Sequence, residues 1–369
     1  LAGRYGHEYF TAQAKNGGNT RELWAEAGKA GYLGVAVPEE YGGGGGIQEL
    51  TVVCEEFATA GCPMLLMVVS PAICATVFAR GGTAEHKSHW LPRFADGSVT
   101  MAFAITEPDA GSNSHKITTT ARRDGSDWLL TGRKYYISGV DEADAVLVVG
   151  RTEDAATGRL APALFIVPTD APGFEYRQIS MEITSPEKQF TVFMDDVRLP
   201  ADALVGGEEY ASAGLAGLFA GLNPERITVA AYAAGIGRYA LAKAAAYAKD
   251  RAVWGVPIGA HQAVAHPLAA AKVQIELSRL MMYKAAWLYD HGRDADCAEA
   301  ANMAKYAAAE AAIGAVDAAI QSHGGNGMAT EYGLATLWGG VRAARIAPVS
   351  REMVLNFVAQ HSLGLPKSY

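Results

Sequence analysis

The sequence predicts an α+β protein in which an N-terminal helical domain, a central β domain and a C-terminal four-helix bundle follow one another. Two observations carry this prediction. Apolar residues recur at intervals of three and four early and late in the chain, which is helical spacing. Between these regions lie short apolar or alternating segments separated by turn residues, which indicate strands. We expect the domains to span residues 1–98, 99–208 and 209–369.

The predicted elements follow in that order along the chain. Helices are expected over residues 22–30, 47–60 and 71–80, with a flexible glycine run at 42–46. Strands are expected over residues 101–105, 128–131, 134–138, 145–151, 163–168 and 190–193, with turns at Gly125-Ser126, Thr157-Gly158 and residues 170–173. Helices return over residues 225–250, 262–290, 298–322 and about 349–360. Alanine is frequent in these last helices, so they are expected to pack closely as a bundle.

Composition excludes several classes of protein. A formal charge of −8 and a pI near 5.6 argue against a nucleic-acid-binding surface. No apolar run is long enough to span a bilayer, and no basic cluster suggests an anionic membrane. The cysteines show no disulfide framework, so we expect a cytoplasmic protein. The chain begins at Leu1 without methionine, so a preceding N-terminal piece is expected.

The cysteines and histidines show no ligand pattern. Neither CxxC spacing nor a disulfide framework is present, which indicates reduced and mostly buried thiols. The nine histidines lack spacing with acidic or sulfur partners, so we expect no metal site. The four cysteines are Cys54, Cys62, Cys74 and Cys297.

Glu225 is the first candidate catalytic residue. Asn223 is a good N-cap and Pro224 suits the first helical position, so Glu225 is predicted to lie in the first turn of a long helix. Acidic residues are common there because they complement the helix dipole. Taken alone, this local explanation is sufficient, and other segments are needed to favour a catalytic role.

Those segments occur in a fixed order from one end of the chain to the other. They are Val37-Pro-Glu-Glu-Tyr-Gly-Gly43, residues 101–113 (MAFAITEPDAGSN), Gly132-Arg-Lys-Tyr-Tyr-Ile-Ser-Gly139, Asp250-Arg-Ala-Val-Trp-Gly255, His261-Gln262 and Gln321-Ser-His-Gly-Gly-Asn-Gly327. In this order the chain resembles the acyl-CoA dehydrogenase flavoprotein family. The resemblance implies the same three-domain fold, FAD as cofactor and an acyl-CoA substrate.

The resemblance also implies which residues contact the flavin. Phe103, Ile105, Thr106, Gly111 and Ser112 correspond to residues that line the isoalloxazine ring, and Ser112 also lies near the acyl-CoA. The strand that packs on the ring corresponds to Tyr136, Ile137 and Ser138, with tyrosine where relatives commonly have tryptophan. From the residues alone, the same segments would be an ordinary strand and a polar turn.

A second set of flavin contacts is implied to come from a neighbouring subunit. By resemblance, Arg251 reaches the FAD pyrophosphate of the partner, for which a guanidinium is well suited. The remaining contacts of this set are Trp254, Gln262, Gln321, Gly324 and Gly325, and Ser350 and Glu352 are further cofactor contacts, with Glu352 on the adenosine side. A homodimer or homotetramer is therefore expected. Taken alone, Arg251 would be a solvated cation at a helix end.

The position of the base separates this chain from most of the family. Most members carry a glutamate in a Tyr-Glu-Gly-Thr segment, and aligning Ser350 with that threonine places Pro348 at the glutamate position. A branch similar to the isovaleryl-CoA and long-chain enzymes instead carries the glutamate on a helix before an arginine, which matches Glu225-Arg226. Glu352 is the competing carboxylate.

Two further implications concern the substrate. By resemblance, Asn223 lies within reach of the acyl-CoA, and Arg226 supports a loop or the substrate end. In many relatives, the backbone amide at the position of Pro348 helps to activate the thioester carbonyl, and proline has no N–H. That donor is either missing or supplied by another amide, such as that of Val349.

The expected function is FAD-dependent α,β-dehydrogenation of an acyl-CoA to the trans-2-enoyl-CoA in fatty acid metabolism. Glu225 removes the α-proton, the β-hydride passes to FAD N5, and electrons continue to an electron-transfer flavoprotein. Two alternatives remain open. One is an oxidase-like or non-acyl-CoA flavoenzyme of the same fold. The other is a catalytically inactive flavin-binding homologue.

Overall fold

The N-terminal region is helical in the computed structural model, which describes residues 1–153, 158–207 and 222–367. Its helices are α1 (Ala2–Lys15), α2 (Arg21–Lys29), α3 (Ile47–Thr59), α4 (Leu65–Met67), α5 (Thr76–Gly81) and α6 (Ala84–Asp96), and a π-helical segment (Val68–Ala75) joins α4 to α5. The predictions over 22–30 and 47–60 are confirmed. The helix predicted over 71–80 is partly π-helical. The sequence prediction missed α1, which is interrupted at Gly6, and α6, which contains Pro92.

The central region forms a mixed sheet of seven strands within the described residues. The strands are β1 (Met101–Ala104), β2 (Thr120–Asp124), β3 (Asp127–Ser138), β4 (Ala145–Glu153), β5 (Leu160–Pro168), β6 (Phe174–Ile179) and β7 (Gln189–Leu199). Their order is β1-β4-β2-β3-β7-β6, and β5 pairs with β4. The β2–β3 hairpin turns at Gly125 and Ser126, as predicted. The predicted segments 128–131 and 134–138 are one strand, and β2 and β6 were missed.

Strand β4 shows how the sheet joins two cores. Ala145, Leu147 and Val149 belong to the core shared with the helices, whereas the alternate residues Val146 and Val148 face the interior of the β domain. Successive side chains on a strand point to opposite faces. Because both faces of β4 are buried, its sequence is a continuous apolar run rather than an alternating one.

The C-terminal region consists of long helices followed by short ones. These are α7 (Asn223–Asp250), α8 (Gln262–Asp290), α9 (Asp294–His323), α10 (Trp338–Ile346) and α11 (Arg351–Phe357), after which Val358–Ser362 is π-helical. A small hairpin of β8 (Ala252–Val253) and β9 (Val256–Pro257) separates α7 from α8. The three long helices are confirmed closely. The sequence prediction missed α10, and the helix predicted from 349 begins at Arg351.

Helix α3 of the N-terminal region packs directly against α7 of the bundle. At Gly235 the two backbones approach so closely that a Cβ would lie 2.5 Å from the Ala58 side chain and from the Glu55 carbonyl oxygen. The fully buried Glu55 carboxylate also forms ion pairs with Arg238 of α7 and Arg279 of α8. The helical regions at the two ends of the chain therefore form one packed body, which positions the start of α7.

The predicted fold class is confirmed, with helical, β and helical regions in that order. Across the three described ranges, no helix combines the length and apolar character needed to cross a bilayer. The predicted turn at Thr157 and the predicted boundary between residues 208 and 209 lie outside the described residues.

Candidate active site

Glu225 lies in the first turn of α7, as predicted, but the cap differs from the prediction. The N-cap residue is Leu222, and Asn223 and Pro224 are already helical. The cap therefore has no side-chain hydrogen bond, and the N-cap role predicted for Asn223 was wrong. Asn223 is buried, while Glu225 and Arg226 are partly buried. The helix start is held by packing rather than by a polar cap.

The surroundings of Glu225 change its acidity. Burial raises the pKa of Glu225 to about 7, although the positive charges of Arg226 and Lys305 oppose this rise. Arg226 donates a hydrogen bond from Nη1 to the carbonyl oxygen of Leu222 at 3.1 Å, which keeps its guanidinium at the helix start. A carboxyl group with a pKa near neutrality is well matched to accepting a proton at physiological pH.

Lys305 of α9 connects this helix start to the loop between α10 and α11. Its ammonium donates hydrogen bonds to the carbonyl oxygens of Arg345 at 3.3 Å and Val349 at 2.5 Å. These two residues flank Pro348. Lys305 also interacts electrostatically with Glu225 and Arg226. Lys305 therefore bonds to residues on both sides of Pro348 and also lies within electrostatic range of Glu225.

Cys74 of the π-helical segment links Glu225 to the β domain. Its thiol contacts the carbonyl oxygens of Met101 and Ala102 in β1, each at 3.8 Å. Burial, together with the negative charge of Glu225, raises the pKa of this thiol well above its usual range. This buried thiol therefore contacts the start of the first flavin-like segment and interacts electrostatically with the glutamate.

A buried ion pair holds the first flavin-like segment in place. Lys134 of β3 donates to the carboxylate of Glu107 at 2.9 Å and to the carbonyl oxygen of Ile105 at 3.0 Å. Glu107 also accepts hydrogen bonds from the backbone and hydroxyl groups of Thr118 and Thr119. Although burial raises the pKa of Glu107, the bonds from Thr119, Thr118 and Lys134 together lower it to about 2. These bonds fix the segment to β3 and to residues 118–119.

Tyr136 is presented to solvent by a bulge in β3. The pairing of β3 with β7 shifts register between Lys134 and Ile137, and Tyr136 between them has φ = 57°. A positive φ is uncommon for a bulky residue. The Tyr136 ring is 49% exposed, whereas Ile137 is buried. This strand therefore offers an aromatic surface next to the segment that it anchors, since the Tyr135 amide donates to the Thr106 carbonyl at 2.9 Å.

The other residues predicted to line the flavin lie on β1, in the loop that follows it and at the end of β3. Phe103 is buried in β1, Ile105 and Thr106 are partly buried, and Gly111 and Ser112 are exposed. A Cβ at Gly111 would meet open space, so a ligand could approach the backbone there. The hydroxyl of Ser138 is hydrogen bonded to Gln189. The structure thus brings Ile105 and Thr106 next to β3, through the bonds from Lys134 and the Tyr135 amide.

The second predicted set lies on a separate surface formed by helix ends. Tyr247, near the end of α7, stacks on His323 at the end of α9, with ring centroids 4.1 Å apart. This contact brings the α7–α8 connection close to the Gly324-Gly325 turn, where Gly324 has φ = 58°. All six members of the set are exposed: Arg251, Trp254, Gln262, Gln321, Gly324 and Gly325. Such a surface is accessible to a neighbouring molecule.

Ser350 and Glu352 begin α11. The Ser350 hydroxyl accepts a hydrogen bond from the Met353 amide at 3.3 Å and so caps the helix. Glu352 is exposed and interacts electrostatically with Lys305 and Arg351. The two competing carboxylates thus differ in environment, because Glu225 is partly buried and has a raised pKa.

Three residues with a clear place in this site were not singled out from the sequence. They are Glu107, Lys134 and Lys305. The available signal was the presence of a lysine inside an otherwise apolar strand pattern and inside an alanine-rich helix. Among the described residues, no group of three or more histidine, cysteine or acidic side chains could hold a metal ion. The four cysteines are buried and free, as expected.

This combination of fold and site defines a flavin-type dehydrogenase architecture with a helix-borne carboxylate. The family models for acyl-CoA dehydrogenase match the chain over residues 7–98 for the N-terminal domain, 102–197 for the middle domain and 213–363 for the C-terminal domain. The chain therefore belongs to the acyl-CoA dehydrogenase family. It is an oxidoreductase enzyme.

Individual relatives cover nearly the whole chain. Acyl-CoA dehydrogenase FadE12 of Mycobacterium tuberculosis is 66% identical over 366 residues, which are 99% of this chain and 94% of the relative. The structure of butyryl-CoA dehydrogenase from Megasphaera elsdenii is 29% identical, with a TM-score of 0.88 over 97% of this chain and 93% of that one. A glutaryl-CoA dehydrogenase from Mycobacterium smegmatis in complex with FADH2 is 27% identical, with a TM-score of 0.87, covering 97% and 90%.

Proposed function

We propose that this chain dehydrogenates an acyl-CoA between its α and β carbons, with Glu225 as the base. The observation that carries the proposal is the pairing of Pro348 at the usual base position with a partly buried Glu225 whose pKa is near 7. A base of this pKa is ionised in a useful fraction near pH 7, and desolvation increases its basicity.

The cofactor is FAD, given the family and the related enzyme solved with FADH2. The residues fit a flavin: Tyr136 offers an exposed aromatic face, Thr106 and Ser112 offer hydroxyl groups nearby, and the space beside Gly111 is open. When bound, FAD accepts the hydride that leaves the β carbon. The two electrons are proposed to pass to an electron-transfer flavoprotein.

The protein's own residues handle the proton. Ionised Glu225 takes the α-proton, so the α C–H bond breaks and its electron pair forms the new double bond as the hydride leaves the β carbon. Arg226 and Lys305 supply positive charge beside the carboxylate before the transfer. Asn223, buried at the helix start, is proposed to contact the acyl-CoA. The Val349 amide is the proposed second donor to the thioester carbonyl in place of Pro348.

We also propose that two subunits share each FAD. The first set of predicted flavin residues lies in the β domain, and the second set lies at helix ends around Gly324. A further support is the outer face of α8, where Val273, Leu277 and Leu280 are all more than half exposed. Exposed apolar faces of this kind typically mark interfaces. Sedimentation of the FAD-loaded protein tests the idea, because a monomer with one bound FAD per chain would contradict it.

The base assignment is tested by anaerobic single-turnover reduction of the flavin with saturating acyl-CoA. Glu225→Gln preserves size and helix position but removes the carboxylate. Reduction is expected to slow by on the order of ten-thousand-fold, at the upper end for loss of a general base. Glu352→Gln is the matched control, because Glu352 is an exposed carboxylate that also interacts with Lys305; it should cost much less and act through cofactor affinity, so excess FAD is present.

The outcomes separate the alternatives. Near-parent reduction in Glu225→Gln, with slow reduction in Glu352→Gln, would move the base to Glu352. A parent protein whose flavin no acyl-CoA bleaches would contradict the dehydrogenase proposal itself. If oxygen reoxidises the reduced flavin as fast as an electron-transfer flavoprotein does, the protein is instead an oxidase.

A further inference from the structure

Lys305 is a buried ammonium group without a direct carboxylate partner. Its side chain is 1% exposed, and its hydrogen bonds go to the carbonyl oxygens of Arg345 and Val349. Within the described part of the chain, no carboxylate forms an ion pair with it. Burying a cation costs free energy that only pairing and hydrogen bonding offset, so a lysine at this position suggests a role that a neutral residue would not fill.

The two carbonyl bonds attach the end of α10 and the α10–α11 loop to the middle of α9. Arg345 and Val349 are 40 and 44 residues from Lys305 in sequence, so the contact is long-range. The loop between them contains Pro348, and Ser350 follows as the cap of α11. One side chain therefore sets the distance of this loop from the helix that it faces.

Charged residues on α7, α9 and α11 interact electrostatically with Lys305. Glu225 and Arg226 come from α7, Glu310 from α9 itself and Glu352 from α11. Burial, followed by the positive charge of Arg226, lowers the pKa of Lys305 to about 8, while the three carboxylates oppose this. Among the described residues, the groups that interact electrostatically with Glu225 are Arg226, Lys305 and the buried thiol of Cys74.

We propose that Lys305 is a positioning residue of the active site, which holds the Pro348 loop beside Glu225 and favours the ionised form of that glutamate by its charge. The inference rests on the proposed role of Glu225 as base. Neutral residues could make the loop contact, but they would leave the desolvation of Glu225 opposed by Arg226 alone. The ammonium thus performs two tasks from one position.

The test follows the protonation of Glu225 without any substrate. Infrared difference spectra of the FAD-loaded protein are titrated with pH, and the carboxyl band that is absent in Glu225→Gln is assigned to Glu225. In Lys305→Met the midpoint of this band is expected to rise by about one pH unit, the lower end for loss of an adjacent opposite charge. Lys305→Gln removes the charge but retains a hydrogen-bond donor, so it separates charge from loop contact.

Lys243→Met is the matched control. Lys243 lies on α7, the helix that carries Glu225, and likewise donates to a backbone carbonyl, that of Tyr332 at 2.6 Å. It lies 18 residues further along, roughly 27 Å at the helical rise, so its removal should leave the Glu225 midpoint unchanged. In single-turnover reduction, the Lys305 variants should show the same upward shift of the pH profile, and their rate should recover at high pH.

An unchanged Glu225 midpoint in both Lys305 variants would overturn the inference. An infrared shift in a protein whose flavin no acyl-CoA reduces would retain the coupling but contradict the proposed function, so the two failures are distinguishable. If neither variant folds, the reciprocal measurement decides, because coupling between two sites is mutual. Glu225→Gln should then lower the pKa of Lys305, as read from the nitrogen resonance of its ammonium, and an unchanged value would contradict the inference.

Discussion

Lys134 in the β domain and Lys305 in the helical bundle are both buried, and each donates hydrogen bonds to backbone carbonyls. Burial lowers the pKa of each to about 8. The difference lies in their partners. Lys134 is bonded directly to the Glu107 carboxylate, whereas Lys305 reaches Glu225 through its electrostatic field alone.

The two glutamates show the consequence of that difference. Glu107 accepts bonds from Thr118, Thr119 and Lys134, and its pKa is lowered to about 2 despite burial. Burial raises the pKa of Glu225 to about 7, with only the nearby charges in opposition. A buried carboxylate whose oxygens accept several hydrogen bonds is a poor proton acceptor and stabilises the structure. A buried carboxylate that has only nearby charges to offset its desolvation stays basic. A lysine and a glutamate therefore stabilise the fold in the β domain, whereas in the helical bundle a lysine and a glutamate leave a basic carboxylate.

The largest expected effect that separates the regions is on stability. Lys134→Met leaves the buried Glu107 carboxylate without its cation, so the free energy of unfolding should fall by about 3–5 kcal/mol. Lys305→Met loses carbonyl bonds without stranding a bonded carboxylate and should cost about 1–3 kcal/mol. Urea unfolding of the FAD-loaded proteins at one pH gives both values. Equal losses would remove the distinction between the two lysines.

The next effect is a pair of pH dependences with opposite signs. The folded pKa of Glu107 is below its ordinary value of 4.5, so its stabilisation is full above pH 4.5 and is lost as the pH falls towards 2. The folded pKa of Glu225 is above 4.5, so stability is lost as the pH rises from 4.5 to 7. Each full change is at most about 3 kcal/mol.

Substituting each glutamate by glutamine measures its pH-dependent contribution to the free energy of unfolding. As the pH rises from 4.5 to 7, the parent should lose stability relative to Glu225→Gln. As the pH falls below 4.5, the parent should lose stability relative to Glu107→Gln. Urea midpoints measured across this range provide the data. The same sign in both series would contradict the contrast between the sites.

Much of the fold follows from the sequence, and the exceptions have physical causes. The long helices α7, α8 and α9 are confirmed closely because many turns of apolar spacing average out local irregularities. Strands β2 and β6 were missed because they lie at exposed positions and carry few apolar residues. Helix α6 was missed because Pro92 lies within it, and an internal proline usually argues against a helix.

The site was predicted unevenly for a related reason. Glu225, Tyr136 and Ser112 lie in local motifs, so a family resemblance reaches them directly. Lys305 acquires its place from carbonyl groups at least 40 residues away, and no local pattern encodes such a contact. The error at Asn223 has the same origin, since packing around the start of α7 moved the cap to Leu222.

The smallest expected effect concerns Ser350, where the loop held by Lys305 enters α11. Ser350→Ala removes the hydroxyl that accepts a hydrogen bond from the Met353 amide, so the free energy of unfolding should fall by about 1 kcal/mol. Thr83→Ala is the matched control, because the Thr83 hydroxyl caps α6 by the same bond to the His86 amide at 3.2 Å. Both variants are unfolded in urea with excess FAD, and FAD retention is measured on dilution. Equal losses of stability with weaker FAD retention in Ser350→Ala alone would support the cofactor contact implied for Ser350, whereas equal retention would limit this residue to its role as a helix cap.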